Sequence, residues 1–258
     1  MAAQDWFDSF FVQGRYAEQL ERVPEERTEQ EVAFIAERLG LGEEARVLDL
    51  CCGIGRHTVP LAKRGFRMAG LDLDGEALEK AKVRAQKAGV EITWHQADMR
   101  DIPYEGVLDA VISWFTSWGF YESDEDDAQV LAAVAGALKP GGRFMLEVAN
   151  RESIFHRYRD TEWREETDGA LVLTRRELDL AGSRNYVTET VIRPDGSRSE
   201  RWHRVRFYSL TELSRMLTEA GLAVEQTWGG SDGSPYDLSS RRLVVLARKS
   251  TGGRVGDR

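Results

Sequence analysis

Apolar residues fall in two rhythms along the chain. Short apolar runs alternate with stretches whose apolar positions recur every three or four residues, the pattern of βαβ units around a parallel sheet. In 28–39, Val32, Ile35, Ala36 and Leu39 share one helical face, and Thr28 with Glu31 has the spacing of a capping box. RVLDL at 46–50 predicts the first strand, followed by the turn CCGIG and a helix over 58–64. A second strand is expected at 67–73. Leu78, Ala81 and Ala85 then stripe a helix that Gly89 stops. Strands three and four are expected at 91–96 and 108–114. Leu131, Val134 and Leu138 mark the helix that ends before Pro140, and strand five follows at 143–148.

The rhythm then changes. Between 163 and 208 come three β-rich runs, 170–180, 184–193 and 200–208, joined by turn residues with no helical stripe between them, which predicts an antiparallel meander. Ser209 and Glu212 form a second capping box, before Leu213, Met216, Leu217 and Ala220 at helical spacing. The last strands, 223–228 and 242–248, flank a loop, GGSDGSPYDLSS, and are expected to run antiparallel to each other. The polar tail from 249 is expected to be disordered.

Composition narrows the functional classes. A net charge of −9 over 258 residues disfavours a phosphate-backbone partner, so no nucleic-acid substrate is expected. The N-terminus lacks a basic region followed by an apolar run, and no apolar stretch is long enough for a bilayer, so a membrane role is not expected. Cys51 and Cys52 are adjacent and cannot close a useful loop, so a reducing, cytoplasmic setting is the default. His156 and His203 lack ligand spacing, and no metal is expected.

Candidate chemistry gathers at the carboxyl ends of the predicted strands, where open α/β sheets bind ligands. VLDLCCGIG delivers Asp49 and Cys51, then Gly53 and Gly55 in a turn that precedes a helix N-terminus, a setting that favours a carboxylate. Asp72 and Leu73 end strand two, 19 residues after Gly53, where an acid can accept both hydroxyls of a ribose. Asp98 and Met99 end strand three, within reach of an adenine amino group. SWFTSWG at 113–119 ends strand four, where cofactor and substrate meet. A nicotinamide-dependent dehydrogenase is the rival reading, but its GxGxxG fingerprint needs glycine at position 58, which holds threonine. S-adenosylmethionine (SAM) has no pyrophosphate and fits Asp-x-x-x-Gly-x-Gly better.

VLDLCCGIGRHTVPLAKRG, GLDLD, ADMRDIP, DAVISWFTSWGF, LKPGGRF and RRLVVLARK together resemble bacterial class I SAM-dependent methyltransferases, from about residue 5 to residue 248. DGSPY at 232–236 looks like a feature of one bacterial branch. Small-molecule N-methyltransferases, such as those for glycine and for nucleotide-linked amino sugars, share an antiparallel insert after strand five. The resemblance implies a Rossmann-like seven-stranded sheet, mostly parallel with the last strand antiparallel, helices on both faces, and that insert. It divides the chain into a lid at 1–27, a SAM-binding core at 28–150, an insert at 151–208, a core completion at 209–248 and a tail at 249–258. It places Asp49, Gly53 and Gly55 around the methionine part of SAM, Asp72 on the ribose, and Asp98 and Met99 on the adenine. The asparagine-proline-proline-tyrosine signature of adenine and amide methyltransferases is absent, which argues against DNA bases as substrate.

Methyl transfer needs positioning and dehydration of the nucleophile and only sometimes a base. Tyr16, in an aromatic segment with Trp6, Phe7, Phe10 and Phe11, is either a catalytic lid residue or part of a helix packed on the sheet. His57 is a base candidate in a first helical turn that disfavours imidazolium. Arg56 either pairs with the methionine carboxylate or is an exposed first-turn residue. Trp114 stabilises a sulfonium through its ring face or packs in the core. Phe115, Trp118, Asn150, Arg151 and Tyr236 are the substrate-side candidates. The acids at 122–127 read as helix-start residues, and Arg241-Arg242 as a solvated edge. The insert serves as a roof over the pocket or as a dimer contact, leaving monomer and homodimer open. The expected activity is methyl transfer to a nitrogen or oxygen of a small molecule. The alternatives are a nicotinamide-dependent oxidoreductase, a non-catalytic SAM-binding module, and a methyltransferase for RNA or protein, which calls for a basic groove or extra domain not visible here.

Overall fold

The structure, a computed structural model, describes residues 10–11 and 16–251. Trp6, Phe7 and most of the expected tail lie outside the described residues. The chain opens with α1 (Tyr16–Glu21) and α2 (Glu25–Leu39), then alternates β1 (Arg46–Leu50), α3 (Thr58–Lys63), β2 (Arg67–Asp72), α4 (Gly75–Ala88), β3 (Thr93–Gln96), β4 (Leu108–Ser113), α5 (Asp124–Ala137) and β5 (Leu138–Ala149). After α6 (Arg151–His156) come β6 (Thr161–Glu165), β7 (Leu171–Asp179), β8 (Arg184–Ile192) and β9 (Arg198–Arg206); α7 (Leu210–Glu219), β10 (Leu222–Trp228) and β11 (Arg242–Lys249) follow.

A seven-stranded sheet has the order β10-β11-β5-β4-β1-β2-β3, parallel except for β11, which runs antiparallel to both neighbours. This is the expected architecture. Successive strands point side chains to opposite faces, and two cores result. Val32, Ile35 and Leu39 of α2 pack with Val47, Ile112, Met145 and Val244 on one face. Leu131 and Val134 of α5 and Leu213 and Leu217 of α7 pack with Leu48, Val111, Leu146 and Val245 on the other. From β1 the chain steps outward to β2 and β3, then returns to β4 on the other side. The turn after β1 therefore stands at the topological switch point, where such sheets open a crevice.

Most helix ends obey local chemistry. Asp74 caps α4 by accepting from the Glu76 and Ala77 amides, Ser123 caps α5, and Ser209 with Glu212 forms the expected capping box on α7. One expected cap is corrected. The helix assigned to 28–39 begins at Glu25 behind Pro24, so Thr28 and Glu31 are interior and buried, and neither caps it.

The insert is a separate antiparallel sheet, β6-β7-β8-β9, with four strands where three were expected. β6 carries one large apolar residue, Trp163, at 68% exposure, and so gave no alternating signal. The inner face buries Val172, Thr174, Val187 and Glu189. Gly119 O accepts from the Arg206 amide (2.7 Å) and joins the end of β9 to the loop after β4. No described helix is long and apolar enough to cross a membrane.

Asp127, fully buried in the first turn of α5, accepts from Tyr208 Oη at 2.7 Å, and burial lifts its carboxyl to about 7. Its folded pKa exceeds its unfolded value, so its stabilisation is complete at low pH and is lost as pH rises through about 7. Asp127→Asn keeps an acceptor for Tyr208. The Tm of the variant minus that of the wild type should climb between pH 4 and 7 and then level off; a flat difference contradicts the assignment.

Candidate active site

β1 ends in a turn that only a left-handed backbone can make. Cys51, Gly53 and Gly55 have φ of 61°, 51° and 72°. A Cβ on Gly53 would stand 3.0 Å from Leu20 Cδ1, so α1 lies directly over this turn. The Gly53 amide donates to Asp72 Oδ2 at 2.7 Å, and the Asp74 amide to Asp72 Oδ1 at 2.9 Å. The ends of β1 and β2 are thus locked together. Burial raises Asp72 to about 6 despite those amides. Asp49, 2% exposed, accepts from Thr58 Oγ1 at 2.6 Å, and burial raises it to about 7. Leu73 is half-buried beside Asp72.

Cys51 Sγ lies 3.6 Å from Met99 Sδ, which brings the loop after β3 to the same place. Burial, reinforced by Asp72, Asp49 and Asp98, pushes the Cys51 thiol well above its usual range. The Asp98 carboxylate is already engaged: Arg100 donates from Nε at 3.0 Å and Nη2 at 2.9 Å, and Tyr121 Oη donates to the same group.

The other half of the site turns on Glu31, 3% exposed on α2. Its Oε2 accepts from Arg56 Nη1 at 2.5 Å and from His57 Nε2 at 2.9 Å; Oε1 accepts from Arg27 Nε at 2.9 Å. Burial pushes the carboxyl up, but the His57 and Arg56 contacts prevail and hold it at about 2. His57 is pushed down to about 4 by burial, so it is neutral and its Nε2 proton belongs to Glu31. Its Nε2 is thereby committed to Glu31. Arg56 is 5% exposed rather than a surface residue, and its Nη2 has no hydrogen-bond partner among the described residues. Tyr16 packs against Phe10 and Phe11 at 5.6 and 5.1 Å, and burial pushes its phenol to about 12, so it stays protonated at neutral pH.

At the end of β4, Phe115 and Thr116 have φ of 70° and 58°, a run that bulky and β-branched residues seldom adopt. Glu147 of β5 holds it: Oε2 accepts the Phe115 amide at 2.6 Å, and the backbone oxygen accepts the Thr116 amide at 3.2 Å. Arg242 Nε faces Glu147 Oε1 at 3.1 Å, and Arg242 Nη1 donates to Thr116 Oγ1 at 3.0 Å. Beside this turn lies a cleft of about 440 Å³, walled by Trp114, Glu147, Arg27, Gln30 and Arg242 and by the loop between β10 and β11. Glu31, Glu147 and Arg242 were not singled out from sequence as site residues. A lone glutamate inside the apolar run FMLEVA was the available signal for Glu147.

The sequence profile described as "Methyltransferase domain" matches residues 47–142. A ubiquinone biosynthesis O-methyltransferase of Xanthomonas euvesicatoria pv. vesicatoria is 31% identical over 198 residues, 76% of this chain and 70% of its own length. The chain belongs to the SAM-dependent methyltransferases. A dTDP-3-amino-3,4,6-trideoxy-alpha-D-glucopyranose N,N-dimethyltransferase of Streptomyces venezuelae is 35% identical over 105 residues, 41% of this chain and 43% of its own. Among solved structures, the CcbJ methyltransferase of Streptomyces caelestis has the same fold, with a TM-score of 0.77 at 20% identity over 88% of this chain and 97% of its own.

In this methyltransferase several expected substrate residues have other work. Trp118 is 3% exposed, stacks on Tyr208 at 4.4 Å and donates to Asp127 O at 3.2 Å; it belongs to the core. Asn150 is fully buried, donating to Asp237 O and Ser240 O at 3.1 and 2.7 Å. Tyr236 Oη lies 3.0 Å from Asn150 Oδ1 and 2.9 Å from Glu152 Oε2, with one proton for both. Together they fasten the loop that roofs the cleft. Arg151 Nε donates to Ser183 Oγ at 3.2 Å, and its guanidinium covers Phe155. Trp114, 3% exposed, packs between Phe34 and His57 and also borders the cleft.

Removing one member of a buried ion pair leaves an uncompensated charge. Glu31→Ala strands Arg56, and should lower the unfolding free energy by about 3 kcal/mol or more in urea titrations. A loss below about 1 kcal/mol would mean that Arg56 finds water or another acceptor.

Proposed function

We propose that this enzyme transfers a methyl group from SAM to a nitrogen or oxygen of a small molecule that enters the cleft beside Phe115. The observation that carries the reading is the buried Nη2 of Arg56. It is a cationic donor next to the glycine turn with no partner among the described residues, and a carboxylate is its natural partner. SAM brings one. The surroundings suit the rest of SAM: Gly53 leaves the turn without a side chain, and Asp49, Asp72 and Asp98 create around Cys51 a negative potential that favours a sulfonium. In this reading Gly53, Gly55 and Arg56 hold the methionine end, Asp72 with Leu73 the ribose, and Met99 with the Cys51 backbone the adenine. The engagement of Asp98 by Arg100 and Tyr121 makes it a support for that subsite.

When bound, SAM supplies an electrophilic methyl carbon on a cationic sulfur. The chain's part is to orient the acceptor and exclude water. Trp114 and Phe115 are its apolar wall at the meeting point, and α1 with Leu20 and Tyr16 its cover. His57 spends its Nε2 contact on Glu31 and Tyr16 stays protonated at neutral pH, so this reading gives placement the larger share of the rate. The names of two relatives, an O-methyltransferase of ubiquinone biosynthesis and an amino-sugar N,N-dimethyltransferase, support a small acceptor and leave oxygen and nitrogen both open.

Purified protein incubated with methyl-labelled SAM and a panel of small amines and phenols should label at least one of them. S-adenosylhomocysteine should bind in calorimetry, and failure of both would end the proposal. Asp72 titrates at about 6, and a ribose hydroxyl prefers its ionised form. Affinity for S-adenosylhomocysteine should therefore drop about tenfold from pH 7.5 to pH 5, and Asp72→Asn should bind weakly with no such slope.

A further inference from the structure

The helix α1 is held from two sides. Toward the core, Leu20 Cδ1 stands 3.0 Å from where a Cβ on Gly53 would be, and Glu21 pairs with Lys80 of α4 at 3.1 Å. Toward the insert, Arg22, just past α1, donates from Nη1 at 2.7 Å to Glu166 Oε2, in the turn between β6 and β7. Gln19, oriented so that its amide oxygen faces the insert, accepts from Arg201 Nη2 at 2.9 Å and Nη1 at 3.0 Å. The Arg201 guanidinium also lies 5.5 Å from the centre of the Phe10 ring, and His203 packs against that ring at 3.9 Å.

These contacts are the ends of one network on the inner face of the insert. Glu166 Oε1 accepts from Arg164 Nε at 2.9 Å. Arg164 Nη1 donates on to Glu189 Oε1 at 3.1 Å, and Glu189 Oε2 accepts from Arg201 Nε at 2.6 Å. The network thus runs from Arg22 through Glu166, Arg164 and Glu189 to Arg201, and touches the α1 segment at both ends. Glu189 and Arg201 are each 8% exposed. Burial pushes the Glu189 carboxyl up, but Arg201 and Arg164 prevail and hold it below its usual range. Replacing a buried ion pair with apolar residues is often neutral or stabilising, so the packing of the sheet alone does not call for one; Val172 and Val187 fill the same face without it. The insert is also fixed to the core independently of α1. Arg184 Nη2 donates to Asp124 Oδ1 at 2.9 Å, and Arg206 Nη2 to Glu212 Oε1 at 2.7 Å.

We propose that the insert is the seat of the cover: Arg201 and Glu166 position α1 over the glycine turn and so set how long the cofactor stays bound. The proposal rests on the methyltransferase reading and assigns the insert its part in it. Arg201 is a positioning residue. It acts through Gln19 on α1, whose Leu20 faces the turn.

Protein loaded with methyl-labelled SAM is chased with excess unlabelled S-adenosylhomocysteine, and the label still bound is followed with time. Arg22→Gln and Glu166→Gln should each speed release about threefold, the scale of an exposed ion pair. The double variant should release no faster than Glu166→Gln alone, because both changes remove the same contact. Arg201→Lys keeps a charge for Glu189 but loses the planar face over Phe10 and the paired donors for Gln19. It should release label about fivefold faster, with a thermal midpoint near that of the wild type. Trp163→Ala, on the opposite face of the same sheet, should release at the wild-type rate. Wild-type release from Arg22→Gln, Glu166→Gln and Arg201→Lys alike would overturn the proposal. So would a double variant faster than Glu166→Gln by the full effect of Arg22→Gln. Equal acceleration by Trp163→Ala would also overturn it, by tracing the effect to loosening of the whole insert. Arg22 and Glu166 are partly exposed, so their variants keep the test open if Arg201→Lys fails to fold. Wild-type protein that captures no label fails at the loading step and counts against the methyltransferase reading instead.

Discussion

A carboxylate sealed from water must find partners or cost the fold several kcal/mol, and Glu31 is the point where this chain meets that demand. The apolar stripe of α2 fixes the helix on the sheet through Val32, Ile35 and Leu39. That docking leaves Glu31 facing the turn after β1, where it draws in Arg56 and His57 from one side and Arg27 from the other. The consequences run outward. His57 is neutral because burial outweighs the pull of Glu31 on its proton. Arg56 can be buried because its charge is answered, and its Nη2 has no partner among the described residues. A single helix placement thus fixes both the electrostatics behind Phe115 and the face that Arg27 shows to the cleft.

The cleft is preorganised by a second set of constraints that involve no catalytic group. Two successive residues in the left-handed region cost energy, and Glu147 offsets it by accepting the Phe115 amide while its own backbone takes that of Thr116. The roof is the loop between β10 and β11, which has no ladder of its own. Asn150 holds it through two backbone carbonyls, and Tyr236 returns to Asn150 from the loop itself. Asn150 and Tyr236 sit at the expected rim, where both are bonded to the protein itself.

The sheet was legible because its signals are local. Period-two strands, period-3.6 stripes and capping residues such as Ser209 with Glu212 are readable within a dozen positions, and the glycine turn with Asp72 has a fixed spacing. What stayed hidden was decided by neighbours distant in sequence. Glu31 has good capping-box spacing from Thr28, yet it also lies four residues before Ile35 and eight before Leu39, on the buried stripe; only the docked turn after β1 decides between the two. Arg242 opens a strand beside Arg241 and looks like a solvated edge until β11 is seen next to β5, where Glu147 faces it. Trp118 looked like a substrate wall because it follows β4, but Tyr208, far along the chain, claims its face. β6 escaped because a strand with one exposed tryptophan has no period to read.

The site has two electrical ends. Asp49, Asp72 and Asp98 crowd the ends of β1 to β3, while Arg27, Arg56 and Arg242 ring Phe115 beyond β4. The acidic end suits a cationic sulfonium. Beyond β4 each of these guanidiniums is answered: Glu31 takes Arg27 and Arg56, and Glu147 faces Arg242. The positive charge that methyl transfer carries toward the acceptor therefore meets paired arginines rather than a bare cationic wall, and the step depends on how the acceptor is placed and dried.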